Sequence, residues 1–152
     1  MHQRFGFTLV ELLVVVALIA ILSVISVKSF SENSRAKQLE VEVDTALSFI
    51  KEAQSKAVNS LNGSEFGIRF ASTTLTEFEG TSFNQNDIVQ VLELSGGVSI
   101  QSITLGGGGT DIYFSQLTGR PSKTGVVVFQ QQGRASSTKT MTISSTGLIE
   151  IQ

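Results

Sequence analysis

The sequence predicts an α+β protein in which a long N-terminal α-helix, apolar in its first half and amphipathic in its second, packs on an antiparallel β-sheet head. Three observations lead there. Seventeen of the 21 residues from Phe7 to Val27 are apolar. Apolar residues then recur at intervals of three and four as far as Ala57, the stripe of an amphipathic helix. Beyond Gly63 the period falls to two, in short runs separated by turn residues.

The first element is the apolar segment. Leu12 to Leu22 carries no polar side-chain atom. As a helix, the stretch from Phe7 to Val27 spans about 30 Å, the thickness of a bilayer core. Arg4, with His2, precedes it, so the positive-inside tendency leaves Met1 in the cytoplasm and the chain after Lys28 outside. A cleaved secretory signal, with Val24-Ile25-Ser26 as its processing site, or a plain signal anchor would share these features. Neither accounts for Glu11, a carboxylate in the first turns of an apolar helix, which costs about 2.5–3.5 kcal/mol at mid-bilayer and less near the interface. Such a charge calls for a partner.

Gly6-Phe7-Thr8-Leu9-Val10-Glu11-Leu12-Leu13, followed by Val14 to Leu22, resembles the N-terminus of type IV pilins and pseudopilins. The resemblance implies that a prepilin peptidase cuts after Gly6 and methylates the new amino terminus at Phe7. It also implies that Glu11 pairs with the N-terminal amine of a neighbouring subunit, an arrangement that offsets the desolvation of both charges. The carboxylate lies four residues after Phe7, so its own terminus is also within reach. The implied partners are the peptidase, other pilin subunits in a helical filament, the inner-membrane assembly machinery and, before assembly, membrane lipid. The implied location is a single-pass cytoplasmic membrane precursor with its head outside, then a cell-surface filament. Proline, frequent after the apolar run in that family, is absent around Lys28 and Ser29, so no proline kink is expected.

Next comes the amphipathic half. Ala36, Leu39, Val43, Ala46, Leu47, Ile50, Ala53 and Ala57 form its stripe, and Glu52 and Lys56 stand in the favourable i,i+4 order. With no Gly or Pro between Phe7 and Leu61, one helix is expected to run to the turn at Asn62-Gly63. A break near Ser29–Ser34 is the alternative, because serine and asparagine are poor helix-interior residues.

Strands are expected at Phe66–Phe70, Leu75–Glu79, Ile88–Leu94, Val98–Leu105, Ile112–Leu117, Val126–Gln130, Lys139–Ile143 and Leu148–Ile151, in one antiparallel sheet or two small ones on the helix stripe. The expected division is a leader at 1–6, a membrane and filament-core helix at 7–28, a head-packing helix at 29–62 and a β-rich head at 63–152. The closing run from Met141 to Ile151 looks like the terminal hairpin of the minor pilins and pseudopilins of that family. A major pilin, a minor pilin and a secretion pseudopilin all fit.

Composition narrows the chemistry. The 152 residues include no cysteine and one histidine, His2, which removes thiolate metal sites and leaves almost no material for a histidine-based centre. No enzyme activity, cofactor or metal is expected. Gly106 to Gly109 lacks the following Lys-Ser/Thr of a phosphate loop and reads as a strand connection. Asn84, Asn86 and Asp87 offer oxygen ligands without a regular calcium spacing, so an ordinary turn competes with a calcium loop. Residues 31–111 hold five bases and eleven acids, whereas residues 112–149 hold Arg120, Lys123, Arg134 and Lys139 and no acid. That basic stretch is a candidate contact for DNA phosphates or for the acidic surface of a neighbouring subunit.

Overall fold

The computed structural model describes residues 8–133 and 137–152, and of residues 24–33 the backbone alone. The chain divides into two compact units, Met1–Arg35 and Ala36–Gln152. Helical hydrogen bonding is continuous through α1, Leu9–Val58, with no break at the serine-rich stretch.

In the first unit Thr8 opens the helix. Its hydroxyl accepts the backbone N–H of Glu11 at 3.3 Å and its carbonyl accepts that of Leu12 at 3.2 Å. The residues from Thr8 to Ser23 are exposed, and Leu9, Leu12 and Leu22 show 74, 62 and 62 % of their surfaces. Among the described residues no helix is long and apolar enough to cross a membrane. The expected span through Val27 runs into residues 24–33, whose side chains lie outside the description.

The second unit holds the whole described core. Leu39, Val43, Ala46, Ile50, Ala53 and Ala57 line one face of α1 at helical spacing, all buried. The expected stripe differs at two positions, one at its start and one in its middle. Ala36 is exposed, and Phe49, not among the expected residues, is buried. Two antiparallel four-stranded sheets complete the cluster. The first has the order β3-β2-β1-β5, with β1 Phe66–Phe70, β2 Thr74–Glu79, β3 Ile88–Glu93 and β5 Asp111–Phe114. The second has the order β4-β6-β7-β8, with β4 Val98–Leu105, β6 Gly125–Gln131, β7 Thr138–Ile143 and β8 Ile149–Ile151.

All eight expected strands are present, with ends moved by up to three residues. The largest change is at β5, expected to reach Leu117. It stops at Phe114 because Pro121 folds back to bridge that residue, and Leu117 turns into the left-handed region at φ 61°. The helix ends three residues before Leu61, and Ser60 and Asn62, both at positive φ, carry the chain through a 3-10 turn.

In β1 and β2 the core face is Phe66, Ile68 and Phe70 beside Leu75 and Glu77. Phe78 therefore points to the opposite face, yet it is fully buried. The 80–87 loop covers it there. Phe83 meets the Phe78 ring edge-on at 5.6 Å, and the Arg69 guanidinium stacks over Phe83 at 4.3 Å. Gly67 makes room for this small outer core, since a Cβ at that position would lie 2.3 Å from the Phe78 ring and 2.6 Å from the Ile112 carbonyl.

Candidate functional site

The residues singled out in the sequence fall in two places, the start of α1 and the C-terminal loops. Gly6 and Phe7, the expected cleavage and methylation positions, lie outside the described residues, as does Arg134. Glu11 is described, on an exposed and otherwise apolar surface of the first unit.

That environment follows from local chemistry. An α-helix leaves its first N–H groups without intrahelical partners, and a threonine hydroxyl immediately before it can accept the third of them. Thr8 does so for Glu11. Thr8-Leu9-Val10-Glu11 is thus the threonine half of a capping box, a pattern legible as T-x-x-E but not drawn from the sequence. Glu11 also stands in the first turn, where the helix dipole favours a negative charge. The carboxylate therefore has a stabilising role within its own helix before any neighbour is considered.

The second unit carries its chemistry where α1 meets the sheets. Lys56 donates to Glu77 Oε2 at 2.9 Å and lies 2.9 Å from Glu52 Oε1, one helical turn earlier. Glu77 is fully buried, and its Oε1 has no hydrogen-bond partner among the described residues. Burial of the Lys56 ammonium works against its charge, but the hydrogen bonds it donates to the Glu77 and Glu52 carboxylates outweigh this and hold its pKa above the ordinary 10.5. Two turns of the head are tied to the same helix by Gln54, whose Nε2 donates to the carbonyls of Gly119 at 2.8 Å and Gly147 at 2.9 Å. Beside them Leu117, Leu148 and Val58 are 74, 57 and 40 % exposed.

The described bases of the C-terminal stretch occupy separate surroundings. Arg120 is exposed in the β5–β6 loop. The half-buried Lys123 donates to the Gly108 carbonyl at 3.0 Å. The glycine turn thus offers an acceptor to a lysine, and Gly107, Gly108 and Gly109 are all at positive φ. Lys139 pairs with Phe129 across β6 and β7, on the core-facing side of the sheet, and is half-buried. Four strand steps along β6, from Gly125, two residues after Lys123, to Phe129, the partner of Lys139, already span about 13 Å. In the 84–87 loop the Asn84 side chain accepts the N–H of Asn86 at 3.2 Å and caps a 3-10 turn. Among the described residues no three acidic, cysteine or histidine side chains stand together to hold a metal.

Comparison with known proteins adds two findings. Residues 1–27 match the prokaryotic N-terminal methylation motif. The fold is similar to that of the type IV minor pilin FimU of Pseudomonas aeruginosa, with a TM-score of 0.61 at 13 % identity, covering 76 % of this chain and 89 % of that one. It is also similar to the minor pseudopilin EpsH from the type II secretion system of Vibrio cholerae, with a TM-score of 0.56 at 16 % identity, covering 76 and 93 %. No curated protein matches the chain. The chain therefore joins a methylation-type N-terminus to a head with the minor pilin and pseudopilin fold.

Proposed function

We propose that this chain is a structural subunit of a type IV pilus or of a related pseudopilus, made as a membrane-anchored precursor, trimmed after Gly6, methylated at Phe7 and assembled through α1. The observation that carries this reading is the exposed apolar surface of Leu9–Leu22 around a single carboxylate, inside the residues that match the methylation motif. Such a surface is costly in water, at about 25 cal/mol per Å², and is stable only in lipid or against other apolar helices. Filament assembly exchanges the first environment for the second and needs no catalytic step from this chain. Glu11 would then set the register by meeting a neighbour's amine, since an uncompensated charge in that interface is expensive.

The head's likeness to minor subunits of two filament systems supports a low-copy position over bulk fibre. The DNA-contact reading of Arg120, Lys123, Arg134 and Lys139 gains no support from the placement of the described three. Mass spectrometry of sheared surface filaments tests the proposal. The expected result is a chain that begins with methylated Phe7, present at a small fraction of the main subunit. An intact Met1 in those filaments, or wild-type filament yield with Glu11→Ala, overturns it.

A further inference from the structure

Two four-stranded sheets have four edges, and three of them in this head are covered, polar or short. β5 is closed by the loop that follows it: the Ser122 N–H donates to the Tyr113 carbonyl at 2.8 Å, that of Ser115 donates to Arg120 at 2.9 Å, and Pro121 bridges Phe114. β4 gives its Ile100 N–H to the Ser72 carbonyl at 2.7 Å, and further along it exposes only Gln101, Ser102 and Thr104. β8 is three residues long. β3 is different. It is six residues long, contains no lysine or proline, and leaves Ile88, Val89 and Val91 exposed by 41, 46 and 48 %. An uncovered apolar edge of this kind is a template for another strand.

The start of β3 adds a second element. The register of β2 on β3 passes from Glu77↔Gln90 to Phe78↔Ile88, which leaves Val89 as the extra residue of a bulge. Ile88 and Val89 there help to line a cavity of about 410 Å³ together with Glu79, Asp87, Ser64 and Asn86. The sequence holds no lysine or arginine between Arg69 and Arg120. Arg69 itself is stacked on Phe83. The edge therefore exposes Ile88, Val89 and Val91 with one neutral polar residue, Gln90, among them, and is acidic at both ends, with Glu79 and Asp87 at one and Glu93 at the other.

We propose that β3 is a strand-addition edge that receives an extended segment of a different protein, with backbone pairing along Gln90–Glu93 and a lysine or arginine of that segment entering the cavity lined by Glu79 and Asp87. Main-chain hydrogen bonds supply the pairing and the charge selects the partner. A second β3 is a poor partner. Antiparallel self-pairing about the middle of the strand would bring Asp87 of each copy beside Glu93 of the other. The basic strand of this chain, β7, is paired on both sides within its own sheet and cannot serve. This inference stands apart from filament assembly through α1.

The full chain in detergent micelles, titrated with an acetylated seven-residue peptide of alternating threonine and valine bearing one lysine near its end, tests it. Saturable binding is expected, with amide exchange slowed at residues 89–93. Replacing the peptide lysine by norleucine, or combining Glu79→Gln with Asp87→Asn, should weaken binding about fivefold. Val91→Lys should abolish it while leaving the melting temperature within a degree or two. Unchanged exchange in β3 at millimolar peptide, with the chain folded, overturns the proposal. Equal affinity for the norleucine peptide overturns the cation's role, and a β3-protected dimer without peptide overturns the choice of partner.

Discussion

Lys56 and Glu77 meet at 2.9 Å where α1 lies on β2, but the two ends of the pair are not equivalent. The carboxylate is fully buried, whereas the ammonium keeps a second partner in the half-exposed Glu52. Removing the lysine leaves a buried, unpaired carboxylate. Removing the carboxylate leaves an ammonium that still has Glu52 and some solvent. Lys56→Met is therefore expected to cost about 3–5 kcal/mol, Glu77→Leu markedly less, and the double variant close to Glu77→Leu alone. Urea unfolding of the four proteins measures this, and a Lys56→Met cost equal to that of Glu77→Leu would remove the asymmetry.

The same pair sets an alkaline limit. Because the folded-state pKa of Lys56 is raised above 10.5, its contribution is fully present below that value and is lost as pH rises through the folded pKa. Stability should fall more steeply above pH 10.5 in the wild type than in the Lys56→Met, Glu77→Leu double variant. Urea midpoints taken across that range provide the comparison, and parallel curves would count against the linkage.

Gln54 holds two turns that are 28 residues apart in the sequence, through Gly119 and Gly147. Gln54→Leu leaves both carbonyls without that donor and should cost about 1–3 kcal/mol. The loss should be local. Hydrogen exchange is expected to quicken around Gly119 and Gly147 while the amides of β1 and β2 keep their protection, and uniform quickening would contradict it.

Gly67 permits Phe78 to lie across β1. Gly67→Ala places a methyl group within 2.3 Å of that ring and 2.6 Å of the Ile112 carbonyl, so the ring must leave or β5 must shift. A cost of about 1–3 kcal/mol is expected, the range for an overpacked core. Phe83→Ala should uncover the same ring from the other side, and combining the two should cost less than their sum. Strict additivity in thermal melts would show that the two sites do not share one packing unit.

Much of this architecture was legible in the sequence. Alternation with turn punctuation located all eight strands, because strands such as β5 and β6 bury one face more fully than the other and so keep a clean period of two. The stripe on α1 was legible for the same reason, from Leu39 to Ala57. What escaped were the places where the pattern breaks. In β2 the alternation begun by Leu75 sends Glu77 inward and Phe78 outward, the reverse of what their side chains would choose alone. The answer lies outside the strand: Lys56 donates to the buried carboxylate, and the 80–87 loop brings Phe83 over the outward ring. The premature end of β5 was hidden likewise, since nothing before Pro121 announces that it will fold back on Phe114. At the N-terminus, Glu11 was read for its cost in lipid, and its bond with Thr8 inside the first turn went unread.

That threonine has a consequence for how a filament would form. A chain trimmed after Gly6 places its new ammonium one residue before Thr8, against the partial positive charge of its own helix end. Glu11, four residues further along the same chain and in the first turn of the helix, would be the compensation within its reach. A neighbour's amine would then not find an idle anion. On the proposed reading it would compete with an internal claimant, so that joining the fibre would be an exchange of partners, with a rate that should respond to how firmly Thr8 holds the first turn.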